Sequence, residues 1–314
     1  MKKKVILLSL LLLAIGTFFI PISQQQTVLI KAPFLNVYRL LSDPLNWQRW
    51  RPDLKKDFIT DSTKFSIQKD TTSFAIKNEE KNLGVKMTGN IFTVNDHYQS
   101  GASNYDYVIF PDKFPKQTFI SVNKNISLFS YLIGKIKPVS FSDTHVFDLK
   151  KYMETDSLLY GFKIFKTSVP ESFLIEIKKE VFAKNKFDEA AKMLGTLQQF
   201  VKTHNIKQVQ PLIAQFITKG KDSTQVNIGL YVDKEVKGEN EVNFARMPKG
   251  GPLYAIKFNG KFVDRPKVYM ALHQYFIDHL YQSAILPFET YFDNKLPVSD
   301  TDRIAIQLNF STYF

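Results

Sequence analysis

The apolar positions of this chain follow three different patterns. From Val5 to Ile20 they form an almost unbroken run, interrupted only by Ser9, Gly16 and Thr17 and extended by Pro21-Ile22. As a helix rising about 1.5 Å per residue, the run reaches roughly 25 Å, slightly short of a hydrocarbon core. Met1-Lys2-Lys3-Lys4 precedes it. The pattern predicts a membrane anchor over residues 1–24, with a signal peptide as the alternative. Cleavage wants small residues, but Phe18-Phe19-Ile20-Pro21 closes the run and Ser23 is a poor candidate, which favours the anchor. By the positive-inside rule the lysines stay cytoplasmic. The chain is then expected to be a single-pass membrane protein with its soluble part exported to the periplasmic side, or secreted if the segment is cleaved.

Residues 25–155 alternate. Thr27 to Lys31 reads as a strand and Ala32-Pro33 as a break. Phe34 to Leu41 has helical spacing. Ser42-Asp43-Pro44 stops that helix and opens another short one, with Trp47 and Trp50 three apart on one face. Strand-like runs follow at Lys64–Gln68, Thr72–Lys77, Val85–Val94, Ser103–Phe110 and Gln117–Asn125, with turns expected at Asn95-Asp96 and Pro111-Asp112. Asp143 to Met153 is helix-like. One strand, two short helices, antiparallel strands and a closing helix make a curved sheet folded over a long helix.

Residues 157–314 repeat themselves. Leu174-Ile175-Glu176-Ile177-Lys178 matches Leu253-Tyr254-Ala255-Ile256-Lys257. Each is followed by a helical pattern, Phe187–Thr203 and Pro266–Tyr281, then by a Pro-led strand. Those strands are Pro211-Leu212-Ile213-Ala214-Gln215-Phe216 and Pro287-Phe288-Glu289-Thr290-Tyr291-Phe292. Val226–Val232 and Arg303–Phe310 close the two units. In this alignment Glu289 stands opposite Ile213, and Tyr291 opposite Gln215. Two units of strand, helix, strand, strand are expected to pair about a pseudo-two-fold axis, with a cleft where they meet. Strand alternation puts Glu289 and Tyr291 on one side and Phe288 and Phe292 on the other. Glu289 is therefore either a pocket acid or a solvated strand charge.

Composition changes little. The chain has 314 residues, enough for about two domains. It is 44% hydrophobic with 28 Phe, so it can bury a sizeable core. The net charge of +12 is scattered, as at Lys55-Lys56, Lys150-Lys151 and Lys178-Lys179. A solvated lysine-rich surface accounts for it better than a binding arm. The absence of cysteine excludes disulfides, zinc-thiolate sites and thiol nucleophiles. His97 and His145 are isolated, and His273 and His279 fall on different helix faces. Neither a metal nor a cofactor is expected.

Two resemblances sharpen the reading. The stretch TVLIKAPFLNVYRLLSDPLNWQRWRP, with Ala32-Pro33, Val37-Tyr38, Asp43 and Trp47-x-x-Trp50-x-Pro52, resembles the opening of the START-like helix-grip superfamily (SRPBCC, polyketide cyclase or dehydrase-like). That resemblance implies a cavity for lipids or other apolar ligands in residues 25–155. In the family the tryptophans are usually structural.

Three further segments resemble the GyrI-like small-molecule-binding family, also seen as the effector-binding domain of AraC-type and multidrug-responsive regulators. They are Met247-Pro248-Lys249-Gly250-Gly251-Pro252-Leu253-Tyr254-Ala255, Phe258-Asn259-Gly260-Lys261-Phe262 and Pro287-Phe288-Glu289-Thr290-Tyr291. This implies an α+β fold for residues 157–314 and a ligand site of Glu289, Tyr291 and Tyr254. Asn259 stands where the family often has His, and Phe262 where Tyr is common. Both departures weaken a hydrolase reading.

The expectation is a membrane-anchored, exported, non-catalytic protein that binds a small amphipathic or cationic molecule. A hydrolase using Glu289 as general acid/base and a structural envelope protein are the alternatives. No helix-turn-helix precedes the GyrI-like part, so no nucleic-acid partner is expected.

Overall fold

The structure, a computed structural model, describes residues 16–17, 20–60, 65–98, 101–128, 131–132, 141 and 144–313. Most of the expected anchor, residues 1–24, lies outside them. Among the described residues no helix is long and apolar enough to cross a membrane. The class is α+β, with two antiparallel sheets and packed helices. The chain divides into two compact units, Met1–Thr155 and Asp156–Phe314.

The first unit opens on β1 (Pro21–Ile30), so Pro21 to Gln24 belong to a strand paired with β7 and not to an anchor. Helices α1 (Phe34–Ser42), α2 (Pro44–Trp50) and α3 (Pro52–Thr60) follow. Asp43 caps α2, its side chain accepting the Leu45 N–H, and Pro44 supplies the preset φ of a first helical turn. Strands β2 (Ser66–Lys69), β3 (Ser73–Lys77), β4 (Lys81–Thr88), β5 (Ile91–Tyr98), β6 (Gly101–Pro111) and β7 (Thr118–Ser127) then form one sheet in the order β1-β7-β6-β5-β4-β3-β2. Helix α4 (Val146–Met153) closes the unit.

Four details differ from the sequence reading. Helix α3 was not expected, because Pro52 reads as a stop although it is also a favourable first helical residue. The single run Val85–Val94 is two strands, turned at Gly89 with φ of 61°. Asn95 and Asp96 lie inside β5, not in a turn, and Asp96 is buried. The closing helix is also short at 8 residues. It is tied to β1 where Lys150 Nζ donates to the Leu29 carbonyl at 2.6 Å and Glu154 accepts the Lys31 N–H at 2.8 Å.

In this unit's core Trp47 and Trp50 pack at 4.9 Å, with Trp47 also against Phe74 and Tyr107. Trp47 and Tyr107 are fully buried. Arg51, itself fully buried, bridges Asp53 at 2.8 Å and Asp96 at 2.6 Å.

The second unit begins with the single turn α5 (Asp156–Leu159) and β8 (Ile164–Ser168). The first repeat follows: β9 (Phe173–Phe182), α6 (Lys186–Thr203), β10 (Leu212–Thr218) and β11 (Ser223–Tyr231). After β12 (Asn243–Arg246) comes the second: β13 (Pro252–Lys261), α7 (Arg265–His279), β14 (Phe288–Tyr291) and β15 (Arg303–Ser311). The sheet order is β12-β9-β11-β10-β14-β15-β13-β8. The blocks β9-β11-β10 and β14-β15-β13 are thus mirrored in order about the β10–β14 junction, as a two-fold repeat requires.

Both repeat helices pack on one face of this sheet. Ile175, Ile177, Val226, Ile228, Leu212, Ala214, Tyr291, Ile306, Leu308, Tyr254 and Ile256 share a core with residues of α6 and α7. The opposite face carries a smaller cluster of Leu174, Ile213, Tyr231, Leu253 and Phe288.

Candidate functional site

The β10–β14 register fixes which way Glu289 points. Leu212 lies opposite Tyr291, Ile213 opposite Thr290, and Ala214 opposite Glu289. Directly paired residues share a face, so Glu289 and Tyr291 belong with Leu212 and Ala214 on the helix face. Ile213 and Gln215 lie on the other face. The alignment of Glu289 with Ile213 is therefore one residue out of step, and a one-residue slip in a strand exchanges the faces. The asymmetry itself survives: the second repeat carries an acid on the face where the first presents only apolar Leu212 and Ala214.

Glu289 is fully buried. Its Oε1 accepts hydrogen bonds from Arg265 Nη1 and, at 2.8 Å, from the Tyr269 hydroxyl. Its Oε2 accepts from the Tyr291 hydroxyl at 2.6 Å. Arg265 and Tyr269 are four apart in the first turns of α7, so both reach the same strand. A cation in a first helical turn opposes the helix dipole. The Arg265 guanidinium offsets this by pairing with Glu289 and by lying 3.5 Å from the centroid of the Phe262 ring and 5.3 Å from that of Phe216. Phe187 packs on both rings. Burial, and next the Glu289 carboxylate, hold the Tyr269 and Tyr291 phenols well above the ordinary tyrosine value. They remain donors to a carboxylate that already has its counter-charge.

Of the expected site residues, the structure thus joins Glu289 and Tyr291. Tyr254 lies on the same face of the sheet and in the same core, but its own contacts are elsewhere. Its hydroxyl donates to that of Tyr281 at 2.8 Å, and its ring contacts Tyr275 and Phe276. Arg265 and Tyr269 were not anticipated. The signal for them was a basic residue in a helix N-terminal turn with a tyrosine four residues on.

A cleft of about 390 Å³ lies on the other face of the sheet. Leu174, Ile213, Phe288, Met247, Ile285 and Leu286 give it an apolar lining. Gly229 lies beneath it. A Cβ there would come within 3.0 Å of Ile213 Cγ1 and 3.1 Å of Leu174 Cδ1, so the bare backbone lets these two side chains meet as a floor. The polar wall is neutral. Gln225 Nε2 donates to Asn227 Oδ1 at 3.1 Å, Asn227 Nδ2 donates to Gln215 Oε1, and Gln215 Nε2 donates to the Pro287 carbonyl at 2.8 Å. Glu176 and Lys178 also line the cleft, paired to each other at 2.6 Å. The alternation Gln225-Val226-Asn227-Ile228 was the available sequence signal, since polar residues on one face of a central strand need a wet or polar surface to meet. Glu289 does not line this cleft, although it follows Phe288 directly.

No protein-family model matches the sequence, and no curated protein does. Among solved structures, similarity of shape is found with the C-terminal domain of EcmrR (16% identity over 48% of this chain and 98% of that chain, TM-score 0.40). It is found also with a hydrolase from Listeria innocua (12% identity, 48% and 92%, TM-score 0.36). A third is the di-domain ARO/CYC BexL from the BE-7585A biosynthetic pathway (11% identity, 93% and 85%, TM-score 0.32). These likenesses are too remote to carry a function.

Proposed function

We propose that this protein is a non-catalytic receptor for a small amphipathic molecule, which it holds in the cleft of its second unit. The observation that carries the reading is the cleft itself, an apolar floor of Leu174, Ile213 and Phe288 beside a wall of three linked amides. Its volume of about 390 Å³ falls at the lower end of the range of small-molecule sites. The GyrI-like motif pattern supports the same class of activity. The helix-grip resemblance supports an apolar ligand in the first unit as well, and the run Val5–Ile20 supports attachment to a membrane with the remainder exported.

Glu289 has a different place in this reading. A cationic guest there would have to displace Arg265 from a buried ion pair. As a general acid or base Glu289 is already committed to three donors, Arg265, Tyr269 and Tyr291. A buried carboxylate so bound is an anchor between β14 and α7.

The test is calorimetric titration of the full chain with short amphiphiles of six to eight carbons, beside the variant Ala245→Phe. Ala245 lines the cleft, and a phenyl ring there fills it. Saturable binding that disappears in the variant, at unchanged circular dichroism, is the expected result. Absence of saturable binding, or equal binding by the filled variant, overturns the proposal.

A further inference from the structure

The amides of the cleft form a chain whose direction is fixed. Gln215 Nε2 donates to two main-chain carbonyls, Leu286 at 3.2 Å and Pro287 at 2.8 Å, a task only its NH₂ group can perform. Its Oε1 therefore turns to Asn227, which donates through Nδ2. Asn227 Oδ1 in turn faces Gln225, whose Nε2 donates to it. The orientation is set at the carbonyl end and propagates along the row. The chain ends on an acceptor, Gln225 Oε1, on a side chain that is half-buried at the cleft. Among the described residues that oxygen has no partner within the protein.

The charges of the cleft cancel. Glu176 and Lys178 are its two ionised groups, and each has the other at 2.6 Å. A cationic guest finds no carboxylate without a counter-ion, and an anionic guest meets Glu176 and the amide oxygen. A neutral donor meets one acceptor at the end of a polarised chain.

We propose that the cleft selects an uncharged amphiphile whose head group, a primary amide or an alcohol, donates a hydrogen bond to Gln225 Oε1 while its apolar tail covers Ile213 and Phe288. This rests on the receptor reading above and assigns its ligand class.

Hexanamide, 1-hexanol, hexylammonium and hexanoate share one tail and differ in head group. Titrated separately into the full chain, the amide and the alcohol are expected to bind at least tenfold more tightly than either ion. In Gln225→Leu the amide is expected to weaken roughly tenfold, the size of one hydrogen bond. Glu176→Gln, which keeps an acceptor but leaves Lys178 without its counter-ion, should strengthen hexanoate relative to the other three probes. Tightest binding by either ion, or undiminished amide binding in Gln225→Leu, overturns the ligand class and leaves the receptor standing. Failure of all four probes to bind saturably overturns both.

Discussion

Arg265 and Glu289 neutralise each other inside the second unit, one from the first turn of a helix and the other from a four-residue strand. Neither has a comparable alternative partner in water, since Glu289 is fully buried and the Arg265 side chain is 11% exposed. Removing one member leaves the other charged in a low-dielectric site. Arg265→Met is expected to destabilise the unit by about 3–5 kcal/mol, whereas Arg265→Met with Glu289→Leu should recover part of that loss. Urea unfolding of the two single variants and the double variant reads the coupling. Strictly additive effects would show that the pair is not coupled.

The two tryptophans of the first unit should differ although they touch. Trp47 Nε1 donates to the Leu41 carbonyl at 2.8 Å, while the buried Trp50 indole N–H finds no partner among the described residues. Trp47→Phe loses packing and a buried hydrogen bond, whereas Trp50→Phe loses packing and relieves an unsatisfied donor. Trp47→Phe is expected to be the more damaging by about 1–2 kcal/mol. Equal shifts in the urea midpoint would contradict this.

Asn294 should be replaceable by glycine more readily than by alanine. Its φ is 55°, a left-handed conformation, and its Oδ1 accepts the Leu212 N–H at 2.9 Å and Gln208 Nε2 at 3.0 Å. Glycine loses these bonds but keeps the conformation, at about 1 kcal/mol. Alanine loses both, at about 2 kcal/mol. Thermal unfolding of the two variants ranks them.

Acid should weaken the first unit through Asp53. Burial alone would raise this carboxyl, but the Arg51 guanidinium with its hydrogen bond, then His145 and Lys81, outweigh burial and hold it below the ordinary aspartate value. A depressed folded-state value contributes stability that is complete above the unfolded-state value near 4. That stability is lost as pH falls through the lower folded value. Urea midpoints for the wild type should therefore hold level above about pH 5 and drop below about pH 4. Asp53→Asn should start lower and show less of that drop. An identical acid slope in both proteins would remove Asp53 as the cause.

The α+β class and the internal repeat were legible because their signals are long-range and redundant. Two strand-helix-strand-strand patterns confirm each other, and Asp43-Pro44 announces a helix start on its own. What failed were decisions of one residue. Asn95-Asp96 reads as a turn by composition, yet β5 carries both, because Asp96 is drawn inward to Arg51. Glu289 was aligned with Ile213 by the prolines that open both strands, whereas hydrogen-bond register puts them on opposite faces. That slip matters most at the site, since it decides whether Glu289 meets a cleft or a helix. The partner that settles its role, Arg265, lies 24 residues away in sequence and comes within reach only through the packing of α7 on the sheet.

The β10–β14 junction also has a consequence for how the protein is made. Until β14 appears, β10 is paired with β11 alone and offers Leu212-Ile213-Ala214-Gln215-Phe216-Ile217-Thr218 as a bare sheet edge. The chain must be extended by nearly 60 residues past β11 before Phe288 emerges, several seconds at about 5–20 residues per second. An apolar, uncharged strand held open for that time is a template for pairing with a neighbouring nascent chain. The first half of the repeat is therefore a stage at which mispairing with a neighbouring chain is favoured. A lysine introduced at Gln215 would trade ligand contacts for safer biogenesis.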